Sequence, residues 1–161
     1  MASDYDSFPA SIYAQSVLAP DLDIYRQHFS APLHAINLSH GVMLAERGLL
    51  EGGDASAILE ALISIDQTRP WADRPFDGSF EDLFFLIEQE LGRQAGEDMA
   101  GKLHMGRSRN DMEHTMFRMQ LRDRLLGLLE RYAEMADKFL ARAEIGICLL
   151  YTSDAADEAE C

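Results

Sequence analysis

Apolar residues recur along this chain at helical spacing and nowhere alternate as they do in strands, so the pattern predicts an all-α protein. From Ser30, the positions Leu33, Ile36, His40, Met43 and Leu44 fall on one face of a helix. Ser30 can cap that helix, Pro32 sits in its first turn where a missing N–H does no harm, and Gly48 closes it. Asp54, after Gly52-Gly53, is the expected cap of a second helix with the stripe Ile58, Leu62, Ile65. The segment TRPWADRPFDGS, Thr68 to Ser79, holds two prolines and a glycine and reads as a loop, which Trp71 and Phe76 predict to be packed. Ser79-Phe80-Glu81-Asp82 has the form of a capping box before a third helix, whose face is Leu83, Phe84, Ile87 and Leu91 and whose end is Gly92 or Gly96.

From Asp111 to Glu144 there is no proline and a single glycine, Gly127. Met112, Met116, Met119, Leu125, Leu129, Tyr132, Met135, Phe139 and Leu140 recur there at helical spacing. A helix over that run is roughly 50 Å long at 1.5 Å per residue. No small domain covers such a stripe, which implies a bundle with helices from other subunits. Residues 1-20 are small and polar, with Pro9 and Pro20 and no sustained period, and are expected to form a flexible arm.

Composition narrows the function classes. Hydrophobic residues make up 47% of the 161, enough for a core. Fourteen basic against 28 acidic residues give a formal charge of -14, which argues against nucleic-acid binding through a general basic face. No apolar run approaches a membrane span, and the opening MASDYDSF lacks a basic flank and an apolar segment, so a cytoplasmic protein is expected. Cys148 and Cys161 lie near the C-terminal end, which leaves neither a disulfide framework nor a thiolate metal site. His28, His34 and His40 are spaced six apart and share no helix face as metal ligands. No metal and no cofactor are expected.

One stretch carries chemistry: GKLHMGRSRND, Gly101 to Asp111, gathers Lys102, Arg107 and Arg109 just ahead of the long helix. Gly106 permits positive φ or a close backbone approach, and Ser108 or Asp111 is the candidate cap. The free N–H groups of a helix start favour an anion, and arginines add charge or a bidentate fork for a carboxylate. His104 either orients this loop or caps it. An ordinary capped helix with solvated arginines would show the same residue types. Glu81 and Asp82 read as capping acids and not as an acid–base pair.

LHMGRSRND resembles the H-T-[GA]-R-S-R-N-D motif of the argininosuccinate lyases, members of the fumarase/aspartase superfamily. INLSHGVMLAERGLL (Ile36 to Leu50) and FEDLFFLIEQELGRQAG (Phe80 to Gly96) resemble two helices of the same family, and the likeness covers roughly Leu22 to Glu144. It implies a homotetramer whose long helices form a central bundle, and a β-elimination that releases fumarate from the small dicarboxylate half of the substrate argininosuccinate. Asn110 falls on the family's substrate-binding asparagine, with Ser108 and Arg109 beside it and Arg107 and His104 in the same motif. Asn37 falls where the family has a substrate-contacting serine. The family's catalytic histidine and serine belong to later motifs that do not occur in this chain, so no catalytic residue is assigned and the chain alone is expected to be inactive.

Phe84 stands where the family has a histidine, Met105 replaces a threonine, and Met112-Glu113-His114 replaces Q-V-A. These departures imply an alternative: a related lyase that releases fumarate from another N-substituted aspartate, such as a diamine disuccinate. A different class, a helical coiled-coil interaction module, is disfavoured because the long stripe is not strictly a/d. The division expected is an arm over 1-20, an N-terminal helical domain over 21-103, and the motif with the first long helix over 104-145. The tail over 146-161 looks non-native, since CLLYTSDAADE resembles a translated sequencing adaptor.

Overall fold

A computed structural model describes residues 9–147, all of whose regular elements are helical. They are α1 (Ser11–Tyr13), a π-helical turn (Ala14–Leu18), α2 (Ala19–His28), α3 (Ser30–Glu46), α4 (Gly52–Thr68), α5 (Leu83–Ala95), α6 (Glu97–Leu103) and α7 (Arg109–Gly146). The expected all-α class is the one observed. The chain divides into two units, Met1–Gln120 and Leu121–Cys161.

In the first unit α3 packs on α4, α4 on α5 and α5 on α6. Leu22, Leu33, Leu44, Ile58, Leu62, Ile65, Leu83, Leu86 and Leu91 are its fully buried large side chains. The α4 stripe is the one that the spacing predicts. On α3 the buried line is instead Pro32, Leu33, Asn37, Gly41 and Leu44, while Met43 is exposed. Gly41 explains that rotation. A Cβ there would lie 3.1 Å from Leu59 Cδ2 and 3.6 Å from Leu103 Cδ1, so the bare glycine lets side chains of α4 and α6 close on α3. On α5 Leu86 is buried and Phe84 only partly so.

Several local expectations are corrected. Ser11 to Leu18 is helical, where the sequence predicted a flexible arm. Pro20 does not stop the helix, because it sits in the first turn of α2 and the turn before it is wound as π, which leaves room for the ring. Ser30 is no cap: α3 follows α2 almost without a break, and the Ser30 hydroxyl donates to the Arg26 carbonyl at 2.8 Å. Asp54 is not the cap of α4 either. It lies in the first turn of that helix, and its carboxylate accepts from Lys102 Nζ at 2.7 Å. The third helix is capped by Asp82, whose Oδ1 accepts the Phe85 N–H at 3.1 Å, and it ends at Gly96 with φ 103°.

The loop from Arg69 to Asp82 is packed as Trp71 and Phe76 predicted. Trp71 and Phe80 are buried, Phe76 meets Phe80 edge to face at 5.6 Å, and the Arg74 guanidinium lies 5.0 Å above the Phe80 ring. In the second unit the described residues continue α7, and Leu125, Leu129, Tyr132, Phe139 and Leu140 are all exposed. The cysteines and most of the 146-161 tail, like residues 1–8, lie outside the described residues.

Candidate functional site

The turn that opens α7 is a reciprocal capping box. Ser108 N–H and Oγ both donate to Asp111 Oδ2, at 3.0 and 2.8 Å, and Asp111 N–H returns a bond to Ser108 Oγ at 3.2 Å. Both candidate caps therefore serve together. The Ser108 hydroxyl and amide, as donors, hold the Asp111 carboxyl below its ordinary range. Gly106, at φ 73°, supplies the left-handed residue that turns the chain out of α6. Arg109 and Asn110 occupy the first turn, where backbone N–H groups have no intrahelical acceptor. Ser108 and Asn110 are exposed there.

The three cations of the motif have separate surroundings. Lys102 pairs with Asp54 at 2.7 Å and Asp98 at 2.9 Å, and these hydrogen bonds raise its pKa and tie α6 to α4. Arg109 pairs with Asp82 and lies 3.5 Å from Glu81, with its guanidinium 4.7 Å from the Phe85 ring centre. A substrate carboxylate would have to compete with Asp82 for it. Arg107 is turned inward: burial pushes its pKa down to about 10, only partly opposed by the charge of Glu88.

Asn37, His104 and Arg107 line one small cavity with Phe84 and Glu88, closed by Leu91 and other apolar side chains. Three of the six residues singled out from the sequence are thus brought together behind the loop, and Ser108, Arg109 and Asn110 stand together at the helix start. Phe84 lies 5.3 Å, ring to ring, from His104. An open groove of about 780 Å³ runs along α5, lined by Glu81, Glu88 and Glu97 with Arg93 among them. Its acidic lining is the wrong charge for a dicarboxylate. Among the described residues no three His, Cys, Asp or Glu side chains converge as metal ligands would.

Three contributors were not found by the sequence reading. His40 Nε2 lies 2.9 Å from the Met105 carbonyl, which can only accept, so Nε2 carries the proton and fixes the loop to α3. Burial lowers the His40 pKa. Glu88 shares the Phe84 face of α5 at i+4, a spacing that could have drawn attention to it. Tyr25 donates to Glu113 across a long sequence separation, and burial, reinforced by that acid, raises its pKa. No local signal pointed to that pair.

The helical fold and the R-S-R-N-D turn are consistent with the N-terminal part of a fumarase/aspartase-type protein. No protein-family model matches the chain. Over most of its length, however, it is a homologue of the argininosuccinate lyases. It is 42% identical over 123 residues to argininosuccinate lyase 2 of Agrobacterium fabrum, which covers 76% of this chain and 24% of that protein. Argininosuccinate lyase of Methanosarcina acetivorans is 39% identical over 78% of the chain and 25% of the relative, and that of Methanocaldococcus jannaschii 36% over 67% and 22%. The chain spans about a quarter of the length of these curated relatives. No solved structure matches it.

Proposed function

We propose that this chain is part of a carbon–nitrogen lyase that splits argininosuccinate into arginine and fumarate, and that the turn from His104 to Asp111 grips the dicarboxylate half. In this reaction a base removes the proton from the carbon next to a carboxylate, and the electron pair moves onto the carboxylate oxygens as an aci-carboxylate. That pair then forms the double bond of fumarate as the C–N bond breaks and nitrogen leaves with its electrons. Donors that tighten as charge reaches those oxygens lower the barrier.

Asn110, exposed beside free backbone N–H groups, is the donor assigned to this task, with Arg109 adjoining it and Ser108, whose amide and hydroxyl protons both go to Asp111, holding the turn in place. Asn37, His104 and Arg107 support the loop from behind. The observation that carries the reading is the capping box at a helix start, which leaves Asn110 uncovered, in a chain 42% identical to an argininosuccinate lyase. The proposed assembly is a cytoplasmic homotetramer, in which other copies cover the apolar positions exposed on α7. No described helix is long and apolar enough to cross a membrane.

The test is fumarate release, followed by ultraviolet absorbance, from the longest protein that the gene encodes. Asn110→Ala should lower kcat/KM by about 100-fold, the loss typical of one donor to a developing oxyanion. Undiminished turnover would refute the assignment. A second reading is favoured by Phe84, which packs on His104 where the family pattern has a histidine: the amine half differs, and diamine disuccinates would then be cleaved where argininosuccinate is not.

A further inference from the structure

The cavity behind the loop has chemistry of its own. Among the described residues, Asn37 Oδ1, His104 Nδ1 and Arg107 Nε and Nη1 are buried without a hydrogen-bond partner, and all three side chains line this one space. Asn37 is only 2% exposed. An unmet buried acceptor is costly, and an unmet charged donor more so, so four such atoms around one cavity are not a stable arrangement by themselves.

Their needs are complementary. The Asn37 carbonyl oxygen requires a donor, whereas the Arg107 N–H groups require an acceptor. Chloride or a carboxylate accepts but cannot donate to Asn37, and an ammonium ion donates but cannot accept from Arg107. Water does both. Size points the same way, because the cavity measures about 10 Å³, the room of one water molecule and less than any carboxylate needs. The Glu88 carboxylate on the same wall would also repel an anion.

We propose that this cavity is a binding site for one structural water, which donates to Asn37 Oδ1 and accepts from Arg107, with His104 Nδ1 as its third partner. The water joins α3 to the motif loop and makes it possible to keep the Arg107 guanidinium inside the fold. The proposal does not depend on the reaction or its substrate.

An atomic-resolution crystal structure of the full chain tests it. The expected result is a single water about 2.7–3.2 Å from both Asn37 Oδ1 and an Arg107 nitrogen. A dry cavity, an Arg107 guanidinium swung into bulk solvent, or a peak that gains anomalous signal on bromide soaking would each overturn it. In solution, magnetisation transfer from water to the Arg107 Hε should be present in the wild type and lost in Asn37→Leu, which removes the acceptor and fills the space. Transfer that persists in Asn37→Leu, or is missing from the wild type, would also overturn it. If Asn37→Leu does not fold, the wild-type measurement decides.

Discussion

Replacing Asp82 separates two roles that one carboxylate plays. Its Oδ1 caps α5 by accepting from Phe85 N–H, and its Oδ2 receives the Arg109 guanidinium from the first turn of α7. Asp82→Ala removes both. The cap is worth about 1 kcal/mol. The ion pair adds roughly 0.5 kcal/mol, because the Arg109 side chain is 37% exposed and solvent screens it. The expected loss is therefore about 1.5 kcal/mol. Asp82→Asn keeps a capping oxygen and discards only the charge. Burial raises the Asp82 carboxyl above its ordinary value, so the fold as a whole disfavours the charged form. Losing that charge offsets losing the ion pair, and Asp82→Asn should cost less than about 0.5 kcal/mol. The sign with pH follows. A carboxyl whose pKa is raised on folding contributes most below its unfolded value and loses that contribution as pH rises through the folded one. Asp82→Asn should therefore improve relative to the wild type as the pH is raised from acid to neutral. Urea unfolding followed by far-ultraviolet circular dichroism reads these differences as midpoint shifts at unchanged slope. If Asn costs as much as Ala at neutral pH, the charge and not the cap sustains this joint, and the reasoning is wrong.

Substitutions at two further positions probe the packing around the loop. Gly41→Ala gains helix propensity of up to about 1 kcal/mol but presses on the Leu59 terminal methyl at 3.1 Å, a half-buried side chain that can shift. Its midpoint should move by less than 1 kcal/mol equivalent in either direction, whereas Gly41→Leu should lose about 1–3 kcal/mol by overpacking. His40, with its pKa lowered by burial, contributes stability above its unfolded value that is lost as pH falls through the folded one. Thermal melts at mildly acid and at neutral pH should therefore show a smaller acid penalty in His40→Gln, and an identical penalty would refute the role.

Part of this molecule is decided locally and can be read locally. The helices over α4, α5 and α7, the packed proline loop, the closing glycines and the Ser108–Asp111 turn depend on periodicity, φ preference and side chains within a few residues, all of which are written in order along the chain. The resemblance of LHMGRSRND to a lyase motif rests on the same local record. What tertiary structure alone decides is where each charge is directed. Lys102 pairs with Asp54 and Asp98, Arg109 with Asp82, and Arg107 faces a small cavity with Asn37 and His104. Those choices follow from which helices meet, and the meeting of α3 with α4 and α6 depends on a missing side chain at Gly41, whose effect no period in the sequence expresses. Spacing sets which face a helix can offer. Contact with the neighbouring helices, through burial and the need to satisfy every buried polar atom, selects the face it uses.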